Sequence, residues 1–188
     1  MLRRVAWIIA AVLIGSVVRH GLWRATESSK STSMISTQDT STRALERFSA
    51  RVAVVEDGDT VDVLDASGRK HRIRFYGADA PEIAHDGRPA QRGGVEASAW
   101  VSERVAGRIV VIEVMDHDRW GREVGRIIFE GEDLNLGLIR NGWAWAYRQY
   151  LREPFAAPYI AAEEAARRER RGLWADSNPT APWNWRHQ

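Results

Sequence analysis

Three short stretches of the sequence combine carboxylates and arginines in spacings that could perform chemistry. They cover residues 57–60, 79–82 and 118–122. Taken alone, each is typical of an ordinary turn, because Asp-Gly pairs and proline-containing exits commonly end strands or close hairpins. Taken together, they bring the oxygen ligands that a hard divalent cation prefers and the guanidinium groups that stabilise charge on phosphate oxygens. This combination is typical of a phosphodiesterase, although periodicity alone does not show that the three stretches meet in space.

Five charged residues in and between these stretches could bind a metal ion, activate water or bind phosphate. Asp59 and Asp79 lie at the ends of successive predicted strands and could ligate a divalent cation. Glu82 is a nearby carboxylate that could orient or deprotonate a water molecule beside that cation. Arg74 and Arg122 have no obvious acidic partners in the sequence, so we expect them to be available to a phosphate group.

The elements that must position these residues are mainly strands. Alternating and β-branched apolar residues predict strands over 48–55, 61–64, 69–76, 109–115 and 124–129. Helical spacing predicts helices over 95–105, 134–140 and 158–171. In the third strand Ile73 and Phe75 share one face, so Arg74 should point away from the core. This order favours a mainly β, α+β fold, namely a five-stranded OB-type barrel with about three added helices.

Composition excludes several other classes of site and protein. The chain has no cysteine, so disulfide frameworks and thiolate metal sites are excluded, and a metal must be held by oxygen or histidine. Residues 1–42 contain five of the 27 Lys and Arg residues but only two of the 25 Asp and Glu residues. The remainder carries 22 basic and 23 acidic residues, so the folded part is not a generally basic nucleic-acid binder.

The two ends of the chain differ in composition from the middle. Residues 5–18 are an unbroken run of apolar and small residues, which predicts that residues 1–24 are a signal anchor or a signal peptide. Residues 26–42 contain eleven Ser and Thr, and we interpret residues 25–46 as a flexible, disordered linker. Residues 177–188 form a tail rich in Pro and Trp, expected to be irregular.

This organisation predicts an exported protein. An uncleaved segment would contact the membrane through residues 5–23 and hold the globular domain outside the cytoplasm, whereas cleavage would release a secreted protein. We expect a monomer.

The order and spacing of the motifs over residues 47–176 resemble those of the thermonuclease, or staphylococcal-nuclease-like, family. Asp57 to Glu82 fits the family's Asp-Gly-Asp-Thr signature, followed by an arginine and Asp-x-Pro-Glu. Asp118 to Arg122 fits its Asp-Lys/Arg-Tyr-Gly-Arg signature, except that tryptophan replaces tyrosine. The resemblance implies an OB barrel and a calcium-dependent hydrolase that cleaves phosphodiester bonds of DNA and RNA and leaves 3′-phosphate ends.

The resemblance also assigns roles to individual residues. It implies one calcium ion, held by Asp59, Asp79 and the main-chain carbonyl of Ala80. Ala80 replaces the usual threonine, which should matter little because the ligand is a backbone oxygen. The implied catalytic residues are Arg74, Glu82 and Arg122. Asp57 and Thr60 are expected to support the ligands, and the candidate substrate contacts are Arg119, Trp120 and Tyr147.

Other interpretations remain open. An inactive OB barrel tethered to the membrane could bind nucleic acid or a protein without cutting, but such degenerate members typically lose the acids and arginines present here. A purely structural tethered protein would leave the ordered motifs unexplained. We interpret His85, His117 and the arginines of 167–171 as solvated. Trp183 and Trp185 could bind a partner or pack against the barrel.

Overall fold

The computed structural model describes residues 43–85 and 87–188. The predicted signal segment at residues 1–24, and the predicted linker up to residue 42, lie outside the described residues. Within the part of the chain that is described, none of the helices is both long and apolar enough to cross a membrane.

Strands dominate the described structure. They are β1 (Glu46–Val55), β2 (Thr60–Asp65), β3 (Lys70–Phe75), β4 (Ala78–Asp79), β5 (Ile109–His117), β6 (Glu123–Phe129), β7 (Glu132–Asp133) and β8 (Trp145–Ala146). The helices are α1 (Gly94–Val105), α2 (Leu134–Arg140), α3 (Ala156–Arg168) and α4 (Pro182–Trp185), with a 3-10 turn at Gly172–Ala175.

Five of the strands close into a barrel. β1 pairs antiparallel with β2 and β5, β2 pairs antiparallel with β3, and β5 pairs antiparallel with β6. Parallel pairing of β3 with β6 closes the ring. Register shifts in β1 and β5 introduce bulges, which bend strands and so help a sheet to curve into a barrel. The predicted five-stranded OB-type barrel is confirmed.

Alternation along the strands fills the barrel with branched apolar side chains. Val61, Val63, Ile73, Ile112 and Ile127 are all fully buried. Their β-branched shape suits a pleated surface packed on one face. The opposite faces of these strands are therefore available for polar residues, and Arg74 lies on that outer side of β3 as predicted.

The helices cover the barrel and the connections between its strands. α1 buries Ala97, Val101 and Val105, spaced four residues apart, which is the repeat of one helix face. Asn135 on α2 is buried, and its amide group donates to the carbonyls of Tyr76 and Gly125. That pair of bonds ties α2 to the region where β3 and β6 close the barrel. α3 ends at Arg168, before the predicted 171.

Two short elements outside the barrel matter for the site. β4 pairs with β8 so that Asp79 lies opposite Trp145. The tail, expected to be irregular, contains the short helix α4, because Pro182 is at the first helical position, where its missing N–H costs little. Trp183 on α4 packs against Trp145, with ring centroids 6.4 Å apart.

Candidate active site

The first acidic stretch forms the turn between β1 and β2. Asp57 closes the turn by accepting a hydrogen bond from the Asp59 backbone N–H at 2.9 Å. Gly58 is packed so closely that an added Cβ would lie 2.7 Å from the Cβ of Ala80 and 2.8 Å from that of Ala97. Only glycine therefore lets this turn press against both the second acidic stretch and α1.

The carboxylate of Asp59 joins the first two stretches. Asp59 is buried, and its Oδ2 accepts a hydrogen bond from the Ala80 N–H at 2.6 Å. Its Oδ1 accepts from Arg74 Nη1 at 2.6 Å and from the Thr60 hydroxyl at 3.2 Å. The stretches predicted separately from sequence therefore meet at one side chain.

Arg74 bridges the two aspartates that the sequence suggested as metal ligands. While Nη1 binds Asp59, Nη2 donates to Asp79 Oδ1 at 2.5 Å. The two carboxylates consequently lie within the span of one guanidinium group. The expectation that Arg74 has no obvious acidic partner is wrong, because Asp79 lies only five residues away and Asp59 meets Arg74 through the pairing of β2 with β3.

Glu82 follows Asp79 on a loop fixed by its backbone. The Glu82 carbonyl accepts a hydrogen bond from the Gln91 N–H at 2.8 Å, and its own N–H donates to Gln91 Oε1 at 3.3 Å. At the start of α1, a Cβ added to Gly94 would lie 2.3 Å from the Glu82 carbonyl oxygen. The absence of a side chain at Gly94 thus allows α1 to support the Glu82 loop directly.

A second arginine, not predicted from sequence, completes the cluster. Arg186, just after α4, donates from Nη1 to Glu82 Oε1 at 2.6 Å and from Nη2 to Asp79 Oδ2 at 2.8 Å. Nη1 also lies 3.1 Å from Asp79 Oδ1. More than 100 residues separate Arg186 from these acids, so spacing gives no signal. The one available hint is a lone arginine between the tryptophans and histidine of the tail.

Burial and crowding raise the pKa values of the aspartates in the cluster. Burial raises the pKa of Asp59 to about 7, the charge of Arg74 opposes the rise, and that of Asp57 adds to it. Burial also raises the pKa of Asp79, reinforced by Asp59 and opposed by Arg186 and Arg74. Four carboxylates facing two guanidinium groups leave an excess of negative charge that favours a further cation.

Arg122 lies in the third stretch, at the hairpin between β5 and β6. Its Nε donates to Asp118 Oδ2 at 2.6 Å, so the expectation that it lacks an acidic partner is also wrong. The parallel register pairs Arg74 with Val124, two residues after Arg122. Arg122 directly precedes β6, so it lies at the end of the strand that pairs with β3, and it contacts Asp118 and Trp120.

The tip of this hairpin presents an aromatic ring between cations. Trp120 is 66% exposed. The guanidinium carbon of Arg119 lies 4.0 Å from the Trp120 ring centroid, and that of Arg122 lies 5.3 Å away. An exposed indole flanked by arginines can stack on a base while the cations meet phosphate.

Tyr147 lies next to the cluster because it follows β8, the strand that pairs with β4. Its backbone N–H donates to the Gly77 carbonyl at 2.8 Å. Burial raises the pKa of Tyr147, and the nearby charge of Asp79 adds to that rise. Its ring stacks on Trp183, with centroids 5.6 Å apart and planes 5° from parallel. The structure therefore places this predicted substrate contact beside Asp79.

The donor chemistry of the cluster suits a hard cation. Asp59 and Asp79 offer carboxylate oxygens held side by side by Arg74, and oxygen donors are those that calcium prefers. Among the described residues, no three Asp, Glu or His side chains form a ready group of ligands. Backbone oxygen and water would therefore have to complete the coordination, and Asp79 would have to exchange its contact with Arg186.

Comparison with known proteins adds independent information. The family described as "Staphylococcal nuclease homologue" matches residues 72–176, a range that includes Arg74, Asp79, Glu82 and Arg122. An "Uncharacterized endonuclease" from Escherichia coli O157:H7 is 38% identical over 139 residues, covering 73% of this chain and 84% of the relative. A "Micrococcal nuclease" from Shigella flexneri is 33% identical over 148 residues, covering 74% of this chain and 80% of the relative. An "Uncharacterized endonuclease" from Haemophilus influenzae is 32% identical over 143 residues, covering 76% and 75%.

Proposed function

The chain belongs to the family of staphylococcal nuclease homologues, and on that premise we propose that it is a calcium-dependent nuclease. It hydrolyses phosphodiester bonds of DNA and RNA and leaves 3′-phosphate ends. The observation that carries the proposal is the cluster in which Arg74 bridges Asp59 and Asp79, with Glu82 joined to Asp79 through Arg186. These are the types of group that displacement at phosphorus requires.

In the proposal, Asp59, Asp79 and the main-chain carbonyl of Ala80 hold one calcium ion. When bound, the ion supplies Lewis-acid stabilisation of charge on a phosphate oxygen. Asp57 and Thr60 hold Asp59 in place, Asp57 through the Asp59 N–H and Thr60 through Oδ1. The ligands are thereby oriented before substrate arrives, which saves reorganisation during the reaction.

Glu82 acts on the attacking water. Its carboxylate orients the water or accepts its proton, the new bond forms from the water oxygen to phosphorus, and the bond from phosphorus to the 5′ oxygen breaks. The departing 5′ oxygen takes up a proton, and the phosphate stays on the 3′ side. The Gln91 and Gly94 contacts to the Glu82 backbone fix the position from which the carboxylate acts.

Arg74 and Arg122 stabilise the transition state. Each presents a planar guanidinium whose paired N–H groups match phosphate oxygens. Charge on those oxygens increases as water adds to phosphorus, so the interaction strengthens in the transition state. Arg119, Trp120 and Tyr147 bind the nucleotides on either side through stacking and charge.

One observation favours a second candidate function. Asp79 and Glu82 are ion-paired with Arg186, which occupies two acids that catalysis needs. An inactive barrel that binds nucleic acid or a protein without cutting would be compatible with such a pairing.

The location is part of the proposal. The apolar run of residues 5–18 supports export, with the domain outside the cytoplasm, anchored through residues 5–23 or secreted after cleavage. Calcium is plentiful outside the cytosol, which suits the proposed cofactor. The protein acts as a monomer. Recovery of the full chain in the cytosolic fraction of the native cell would contradict this location.

The test compares the full chain with a Glu82→Gln variant on labelled single-stranded DNA, double-stranded DNA and RNA. Each reaction contains calcium, magnesium or a chelator. We expect cutting that requires calcium and falls by about 10²–10⁴-fold in Glu82→Gln, the range for loss of a general base. Glu96→Gln, an exposed site in the first turn of α1, is the matched control. Binding without cutting under every condition would favour the inactive barrel instead.

A further inference from the structure

The C-terminal segment, residues 181–188, contacts two parts of the proposed active site at once. Here it is called the strap. Its arginine, Arg186, donates to both carboxylate oxygens of Asp79 and to Glu82. Its tryptophan, Trp183, lies parallel to the ring of Tyr147. The arginine therefore contacts residues proposed to bind the cation or to act in catalysis. The tryptophan contacts a residue proposed to bind the substrate.

The geometry of the strap matches the two kinds of group it touches. A guanidinium is a cation, and on Asp79 it uses the same oxygens that a divalent ion would need. An indole stacked on a phenol at 5° covers the face on which a nucleobase would stack. The two side chains are three residues apart on one helical turn, so a single movement of the strap would release both.

The strap is held by contacts that can be exchanged. Buried Ala181 and Pro182 anchor its start, so the movable part begins after them. In that part the Arg186 side chain is 32% exposed, and Asn184, His187 and Gln188 face solvent. Beneath the segment leading into it, a cavity of about 330 Å³ is lined in part by Gln91 and Trp185. A segment that is packed around a cavity of this size loses less apolar contact when it moves than a close-packed core element does.

We propose that the strap is an autoinhibitory element that competes with the divalent cation for Asp79 and with the nucleotide for Tyr147. The proposal rests on the proposed function, because it concerns regulation of the same site. In the closed state Arg186 occupies the carboxylates of Asp79 and Glu82, and Trp183 covers Tyr147. Cation and substrate bind when the strap moves away, so together they open the site.

Competition predicts a measurable gain in cation affinity when the strap is weakened. If the strap is open about a tenth of the time, the apparent affinity for calcium is about tenfold below that of the open site. Removing the guanidinium, or the tryptophan that holds the strap in place, should recover much of that factor.

The test titrates calcium chloride alone into the full chain by calorimetry, without nucleic acid. The variants are Arg186→Gln and Trp183→Ala, with Arg47→Gln as control, because Arg47 forms an exposed ion pair with Glu113 on the barrel. We expect affinity to rise about tenfold in Arg186→Gln and several-fold in Trp183→Ala, and to stay unchanged in Arg47→Gln. Trp183→Ala keeps the charge of Arg186, so its effect separates release of the strap from a change in net charge.

Each alternative result is decisive. A rise in Arg186→Gln alone would indicate a charge effect and overturn the strap, as would an unchanged calcium affinity in both variants. Undetectable calcium binding in every chain would overturn the proposed calcium site, and the strap proposal with it. If Arg186→Gln does not fold, as judged by its thermal unfolding, Trp183→Ala decides. Failure of the proposed function would give a different result. Calcium affinity would rise in both variants, but none of the chains would cut nucleic acid in the cleavage assay.

Discussion

Strand β3 carries four basic side chains, and three of them, His71, Arg72 and Arg74, each lie between two carboxylates. His71 meets Glu123 at 3.0 Å through one ring nitrogen and Asp65 at 3.1 Å through the other. Arg74 meets Asp59 at 2.6 Å and Asp79 at 2.5 Å. The His71 cluster and the Arg74 cluster are therefore built on one plan, a base on the strand and an acid on either side.

They differ in charge balance and in where their members come from. The His71 cluster belongs wholly to the barrel, and its imidazole packs on Phe48 with centroids 4.7 Å apart. The Arg74 cluster has two further acids, Asp57 and Glu82, and a second cation, Arg186, supplied by the tail. A cluster whose partners are fixed stabilises the fold. A cluster with surplus acids and an exchangeable cation is suited to take a ligand.

Among the substitutions that test this comparison, loss of Arg122 from the proposed active site should have the largest effect. Arg122→Ala should lower kcat by about 10²–10³-fold, because the interaction strengthens in the transition state. KM for single-stranded DNA should change by less than about threefold. Arg119→Ala, three residues earlier on the same hairpin, should mainly raise KM. Near-normal turnover by Arg122→Ala would remove this arginine from the catalytic group.

Substitutions in the His71 cluster should lower the stability of the fold rather than turnover. His71→Ala should lower the free energy of unfolding by about 2 kcal/mol, because two carboxylates lose a buried hydrogen-bond partner. Urea unfolding of the full chain measures the loss, and turnover of the folded fraction should stay near normal. Arg47→Ala, which breaks an exposed ion pair, should cost less than about 1 kcal/mol. Equal costs for the two variants would contradict a stabilising role for the His71 cluster.

Substitution of Gly94 tests whether backbone packing positions Glu82 in the proposed active site. Gly94→Ala places a methyl group 2.3 Å from the Glu82 carbonyl oxygen, so the Glu82 loop must shift. A displacement of this kind should lower kcat by about tenfold. Gly137→Ala on α2 is the matched control, since its added methyl meets the Trp100 ring at 3.2 Å and lies away from the cluster. Turnover equal in the two variants would show that this contact does not position Glu82.

The smallest effect is a pH dependence of stability that the His71 cluster should confer. Burial lowers the pKa of His71, but hydrogen bonds to Glu123 and Asp65 outweigh burial and the charge of Arg69, and raise that pKa above 6.5. A raised pKa stabilises the fold fully below the unfolded value, and this stabilisation is lost as pH rises through the folded pKa. The free energy of unfolding should therefore fall more steeply with rising pH in the native chain than in His71→Gln. Parallel pH profiles would contradict the shift.

Much of the barrel could be predicted from sequence because its signals are local. Alternating branched residues such as Ile73 and Phe75 fix which face is buried, and Asp-Gly turns mark strand ends. Helix α3 ends before the predicted residue 171 because Arg170 adopts a positive φ. No local pattern in this arginine-rich segment indicates that conformation. The family resemblance is confirmed by the match of residues 72–176 to the staphylococcal nuclease family, and it could be predicted because its motifs are short and ordered.

The ion pairs could not be predicted because they depend on closure of the chain in space. Arg74 meets Asp59 only because β2 and β3 pair in a particular register. Arg186 meets Asp79 only because α4 packs on Trp145 and Tyr147. Sequence spacing contains neither fact. The acids of the site can be predicted because they lie in turns with a recognisable sequence, whereas the contact of Arg186 cannot, because it depends on where the tail packs.

The most direct measurement compares Arg74→Lys with His71→Gln, two substitutions on the same strand. Calcium-dependent cleavage of a labelled single-stranded DNA is followed at saturating substrate, for chains shown to be folded by thermal unfolding. Lysine keeps the charge between Asp59 and Asp79 but loses the paired N–H groups that match a phosphate. We expect Arg74→Lys to cut about 10²-fold more slowly or worse, and His71→Gln to cut within about twofold of the native rate. Equal rates, or a loss confined to His71→Gln, would contradict the assignment of chemistry to the Arg74 cluster.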